Sequence, residues 1–163
     1  MFEKNNVRKE FLNWTLSMPW RNPFSVTLTF RQAIISNGTY IPLDSIAASK
    51  NTQYFLNILN RSALGKSAAR YGKTLTSVGV IEGDERVRLH AHFCIDKPTH
   101  LSDEEFHGLI ISSWNRTLFG YLEVDAKPCT DLDGWLRYIA KYRTKSDYSD
   151  AIDWMNVRLG RRV

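Results

Sequence analysis

The chain is poor in cysteine: of its 163 residues only Cys94 and Cys129 carry thiols. They stand at no zinc-knuckle or thiol–disulfide spacing, which argues against a disulfide-stapled fold and suits a reducing cytosol. No apolar run approaches the ~18 residues that a membrane-spanning helix needs. Met1 to Asn6 lead into no apolar segment, so a secretory signal is not expected. A nucleotide-driven motor is not expected either. Gly65-Lys66-Ser67 ends like a phosphate-binding loop, but the glycine required five residues earlier is Asn60, and the segment leaves a helix where that loop would leave a strand.

What is present suggests one soluble domain over residues 1–163 with a mild excess of positive charge. There are 22 Lys and Arg against 17 Asp and Glu, a formal net charge of +5 and a pI near 9.3. Such a balance favours a polyanionic partner.

Hydrophobic spacing sets out the elements. Val7, Phe11, Trp14 and Met18 predict an amphipathic helix over about 4–18, ended by Pro19 and Pro23. Residues 24–30, Phe-Ser-Val-Thr-Leu-Thr-Phe, alternate strictly and predict a central strand. Residues 36–46, with Asn37-Gly38 and Pro42, read as a loop. A helix follows from about Ala47 to Leu64, stopped by Gly65. Residues 74–82 and 87–95 read as a hairpin around a polar turn. Ser102 and Glu105 form a capping box, opening a helix expected to run to Gly120. Residues 121–127 alternate as a short strand. Thr130 or Asp131 then caps a helix carrying Tyr138 and Tyr142, and the tail 147–163 reads as a short basic helix. The expected fold is α+β, a central antiparallel sheet with a βαββαβ (ferredoxin- or RRM-like) core over about 24–145. Its helices lie mainly on one face, and the other face is left open.

The chemistry concentrates in Arg88-Leu89-His90-Ala91-His92-Phe93-Cys94-Ile95. Alternation puts His90 and His92 on one face, their roots about 6–7 Å apart. Glu82 lies eight residues before His90, across the turn; the hairpin register, which decides whether it faces the histidines, is not fixed by sequence. Two imidazoles and a carboxylate leave coordination positions vacant, as a catalytic site requires. An ion that must also bind phosphate oxygen is expected to be Mn²⁺ or Mg²⁺.

The second cluster is helical. Leu132, Trp135, Leu136 and Ile139 form the apolar stripe; at about 100° per residue Tyr138 falls roughly 110° from its centre, too far for comfortable burial. Tyr138, Tyr142 and Lys145 fall on one row. Only about one phenol in 10³ is ionised at pH 7, a cost of about 4 kcal/mol. Lys141, Lys145 or Arg137 nearby would favour the anion. A metal beside such tyrosines is equipment for cutting and rejoining a phosphodiester.

These patches resemble, in order, the motifs of the HUH endonucleases, and among them the rolling-circle replication initiators. Residues 24–30 are similar to the family's first motif, a strand ending in a Thr-Leu-Thr run. His90-Ala91-His92 is similar to its metal-binding His-hydrophobic-His motif, with Glu82 where some initiators place a third ligand. Residues 138–145 are similar to its two-tyrosine motif. The resemblance implies site-specific nicking of single-stranded or hairpin origin DNA, with a 5′-phosphotyrosine and a free 3′-hydroxyl. It also implies a cytoplasmic setting in a host whose helicase and polymerase are borrowed. Which tyrosine cuts first stays open. DNA contacts are expected from Thr27, Thr29, Arg31, Arg86, Arg88 and Arg137, within a wider basic track that adds Arg61, Lys66, Arg70 and Lys73. The rival readings are a relaxase or single-strand transposase of the same superfamily, a non-catalytic RRM-like module, and a small-molecule metalloenzyme.

Overall fold

The computed structural model describes residues 2–83, 88–140, 152–153 and 156–160. The elements, in order, are α1 (Phe2–Leu16), β1 (Pro23–Phe30), β2 (Ala33–Ser36), β3 (Thr39–Pro42), α2 (Ser45–Leu64), α3 (Lys66–Tyr71), β4 (Ser77–Glu82), β5 (His90–Asp96), α4 (Asp103–Asn115), β6 (Gly120–Pro128) and α5 (Leu132–Ile139). The fold is α+β. Four strands form an antiparallel sheet in the order β4-β5-β1-β6, so the histidine strand is interior.

The alternation of β1 explains the main core. Phe24, Val26, Leu28 and Phe30 project to one face with Ala91, Phe93, Ile95 and Ala126, beneath Phe55, Leu56 and Leu59 of α2 and Phe106, Ile110 and Trp114 of α4. The Trp114 indole donates to the Thr29 carbonyl at 3.2 Å, tying α4 to β1. Gly79 on β4 pairs with Phe93, whose ring occupies the space a Cβ at Gly79 would need.

The other face is not open as expected. Phe11 and Leu12 of α1, Met18, Leu136 and Ile139 of α5, Ala140 and Ile152 pack there against Val78, Val80 and Cys94. Helices therefore lie on both faces, not mainly on one. The physical reason is in β4: leaving Val78 and Val80 in water would cost about 1.5–3 kcal/mol each. Only the polar half beside β6 keeps exposed positions on that face, among them Asp125 and Lys127. Val7, expected on the buried stripe of α1, is 41% exposed.

Three further expectations are corrected. Residues 36–46 are not all loop, because β2 and β3 pair around Asn37 (φ 49°) and Gly38 (φ 76°), the two positive dihedrals of a tight hairpin turn. With α3, this hairpin means the chain holds more between β1 and β4 than the single helix expected. The helix opened by the Ser102–Glu105 capping box ends at Asn115, short of Gly120. Thr117 donates its hydroxyl to the Trp114 carbonyl at 2.7 Å and turns the chain, leaving Leu118 exposed. In the tail, Ile152 and Arg158 are not helical but bridge antiparallel to Val80 and Ser77, shielding the β4 edge. Buried Asp153 fastens this segment to α2 by accepting from Ser49 and Thr52, both at 2.8 Å, and from Asn156 at 2.6 Å.

Candidate active site

The hairpin register places Glu82 directly opposite His90, and His92 opposite Val80 on one side and Thr27 on the other. One carboxylate oxygen, Glu82 Oε1, lies 3.3 Å from His90 Nε2 and 2.8 Å from His92 Nε2. The three ligand atoms all fall within 4.8 Å of one another. The imidazoles meet edge to face, with centroids 4.7 Å apart. His92 is buried, whereas His90 and Glu82 are half-buried, so the group is reached from one side.

Each histidine is oriented by its other nitrogen. His90 Nδ1 lies 2.9 Å from the Arg88 carbonyl and His92 Nδ1 lies 2.9 Å from the Thr27 hydroxyl. A carbonyl only accepts, so His90 Nδ1 carries the proton and a neutral His90 presents a lone pair at Nε2. That lone pair faces a carboxylate oxygen, two acceptors reconciled by a cation between them, a proton or a metal ion. The donor set thus fits a divalent metal, with hydrogen bonds behind the ligands of the kind that aim metal-binding imidazoles.

The phenol side comes from α5. Asp131 caps the helix, accepting the Gly134 amide at 2.9 Å. Trp135 then anchors it on the sheet, its indole donating to the Phe93 carbonyl at 3.0 Å. Tyr138, one turn on, stacks on Trp135 (centroids 5.2 Å, planes 12° apart) and meets His92 edge-on at 5.3 Å. It stays 39% exposed, as its angle from the apolar stripe suggests.

No protein-family model, no curated protein and no solved structure matches the chain.

The other expected site residues are distributed unevenly. Tyr142, Lys141, Lys145 and Arg86 lie outside the described residues. Thr27 is half-buried, with its hydroxyl 2.9 Å from His92 Nδ1. Thr29 is half-buried on the same face, paired with His90. Arg31 is exposed at the end of β1. Arg88 lies over the Tyr121 ring at 4.7 Å, with Glu123 at 4.0 Å. Arg137 is held by Asp133 one turn earlier at 2.5 Å, and this partner pulls the Asp133 carboxyl below the usual range. Arg61 lies in the last turn of α2, Lys66 and Arg70 in α3 and Lys73 just after it, toward the end where His100 reaches the Ala63 carbonyl, while Arg31 and Arg88 stand at the histidine end of β5.

Two roles escaped the sequence. Trp135 reads as plain stripe, yet its N–H fixes the helix and its ring carries Tyr138 to His92. Thr27 reads as one of several outward hydroxyls; only the cross-strand register singles it out.

Proposed function

We propose that the chain is a metal-dependent, site-specific single-stranded DNA nickase and strand-transferase of the HUH rolling-circle initiator type. The observation that carries this reading is the Tyr138 ring against His92 of the Glu82–His90–His92 group. With the β2–β3 hairpin and α3 taken as additions, the element order is compatible with the family's βαββαβ layout, which supports this reading. The motif order, strand 24–30, then His90-Ala91-His92, then Tyr138 and Tyr142, supports the same assignment.

In this reading Glu82, His90 and His92 hold Mn²⁺ or Mg²⁺. When bound, the ion polarises the scissile phosphate and offsets the charge that develops there. Thr27 and the Arg88 carbonyl keep both Nε2 atoms turned inward, which saves reorganisation at the moment of reaction. Trp135 holds the Tyr138 ring in place. A tyrosine oxygen attacks phosphorus as its proton leaves, the bond from phosphorus to the 3′ oxygen breaks, and the released 3′ oxygen takes up a proton. The product is a 5′-phosphotyrosine that conserves the phosphodiester for rejoining. Lys141 and Lys145 favour the phenolate, and two tyrosines permit one to hold a strand while the other attacks. Arg31 and Arg88 contact phosphates at the site end of the sheet. The DNA is a single-stranded or hairpin origin, and unwinding and synthesis fall to host proteins in the cytoplasm.

The test is incubation with end-labelled single-stranded oligonucleotides and Mn²⁺, followed by denaturing electrophoresis. A denaturation-resistant protein–DNA band is expected, lost in the Tyr138→Phe/Tyr142→Phe double variant. His90→Ala should abolish the band while most DNA affinity persists. Equal loss of both would favour a plain binding module.

A further inference from the structure

At the end of the sheet remote from the histidines, several chain segments close around a cavity of about 410 Å³. His90 is the first residue of β5 and Asp96, in the cavity wall, is the last. At about 3.3 Å per residue the cavity and the metal cluster are therefore roughly 20 Å apart. Glu82, His90, His92, Trp135 and Tyr138 take no part in its lining.

Its walls carry three kinds of group. Arg21, from the segment after α1, and Lys73, from the segment before β4, supply positive charge, and neither forms a salt bridge among the described residues. A third cation, Lys97, is committed elsewhere: its ammonium donates to the Leu101 carbonyl at 2.6 Å and lies 3.4 Å from Asp103. Leu64, Leu75 and Pro98 supply apolar surface. Asp96 supplies a carboxylate whose Oδ1 accepts the Arg21 and Asn22 amides at 2.9 and 2.7 Å, while Oδ2 has no hydrogen bond among the described residues.

Cations, apolar surface and a one-sided acceptor are the three demands of a nucleotide, and the volume suits one such unit. The acceptor also chooses between bases. A carboxylate only accepts. The pairing edge of guanine offers two adjacent N–H donors that converge on the one remaining oxygen, Oδ2, whereas adenine and cytosine set an acceptor nitrogen beside their amino group, which the carboxylate repels.

We propose that this cavity is a guanine-nucleotide site separate from the metal cluster, with the phosphate against Arg21 and Lys73 and the base edge on Asp96. The occupant is a free nucleotide or one guanine of a bound strand, which share this chemistry. The proposal does not depend on the nicking reading.

The test is calorimetric titration of the full chain, without divalent metal, with dGMP and with dAMP. Saturable dGMP binding with a Kd below about 1 mM is expected, with dAMP at least about tenfold weaker. Lys73→Glu should weaken dGMP by about tenfold or more, and Asp96→Asn should narrow the gap between the two nucleotides. Should Asp96→Asn fail to fold, because two backbone amides depend on its carboxylate, Lys73→Glu and Arg21→Ala still decide. A short oligothymidine with one central guanine gives the source. Displacement of dGMP supports the strand, and binding without displacement supports the free nucleotide. Absence of saturable dGMP binding, equal affinity for dAMP, or binding undiminished by Lys73→Glu would overturn the assignment.

Discussion

Saturating Mn²⁺ should raise the unfolding temperature, and Glu82→Gln should abolish that rise while changing the metal-free melting point only slightly. The three ligand atoms already lie within 4.8 Å of one another, so binding needs little rearrangement. At a free concentration a hundredfold above Kd, an ion that binds only the folded state stabilises it by about 2.7 kcal/mol. For a domain of this size each kcal/mol moves the midpoint by about 2–4 °C, which predicts a rise of roughly 5–11 °C. The metal-free protein behaves differently. There Glu82 Oε1 lies 3.3 Å from His90 Nε2 and 2.8 Å from His92 Nε2, and a glutamine side-chain carbonyl in its place keeps an acceptor for one of the two rings. The change therefore amounts to no more than one hydrogen bond, about 0.5–1.5 kcal/mol, so the apo midpoint of Glu82→Gln should stay within roughly 6 °C of wild type. Thermal melts over a Mn²⁺ series, with a chelator as zero, measure both effects. A wild-type midpoint indifferent to metal would refute the ligand assignment. So would a Glu82→Gln protein that melts well below wild type yet keeps the metal shift, since Glu82 would then serve as an ion-pair partner and not a ligand.

Other consequences are equally open to measurement. Trp135→Phe removes the indole donor to the Phe93 carbonyl and should cost about 1–3 kcal/mol in urea unfolding, with a parallel fall in nicking as the stacking partner of Tyr138 changes. Gly79→Ala forces a methyl into the Phe93 ring and should cost about 1–3 kcal/mol by the same assay, although both residues are apolar and small. Native protein treated with iodoacetamide should be labelled at half-exposed Cys129 before Cys94, which is fully buried and whose thiol burial pushes far up; peptide mass spectrometry reads this directly. The Ser102 amide holds the Glu105 carboxyl below the usual range. That contribution to stability is present above the ordinary glutamate pKa and lost as pH falls through the lowered one, so the advantage of wild type over Glu105→Gln in urea should shrink on acidification.

The parts of the molecule legible in the sequence were those governed by local rules. The period-two pattern of residues 24–30 marks β1 within one residue, because both its neighbours and its core contacts repeat with that period. The capping box at Ser102 and Glu105 is a contact between residues three apart, so spacing alone reveals it. Even the same-face placement of His90 and His92 is local. The failures concern long-range partners. That α1 and the 152–158 segment come back to cover β4 depends on residues more than sixty positions away, and nothing in the helix 2–16 names its docking surface. Thr27 becomes a support for His92 through a register across 65 positions. The hairpin around Asn37-Gly38 was legible in principle. That dipeptide between two short β-branched runs is a hairpin signal as well as a loop signal.

The most direct measurement of the central claim is the site of covalent attachment. Wild-type protein is reacted with a single-stranded oligonucleotide in Mn²⁺, digested with nuclease and protease, and its peptides are weighed. The account predicts a nucleotide 5′-phosphate on the peptide containing Tyr138 or on that containing Tyr142, absent when metal is chelated or His92 is replaced by alanine. Cleavage with no nucleotide on either tyrosine, or attachment that persists without metal, would contradict it.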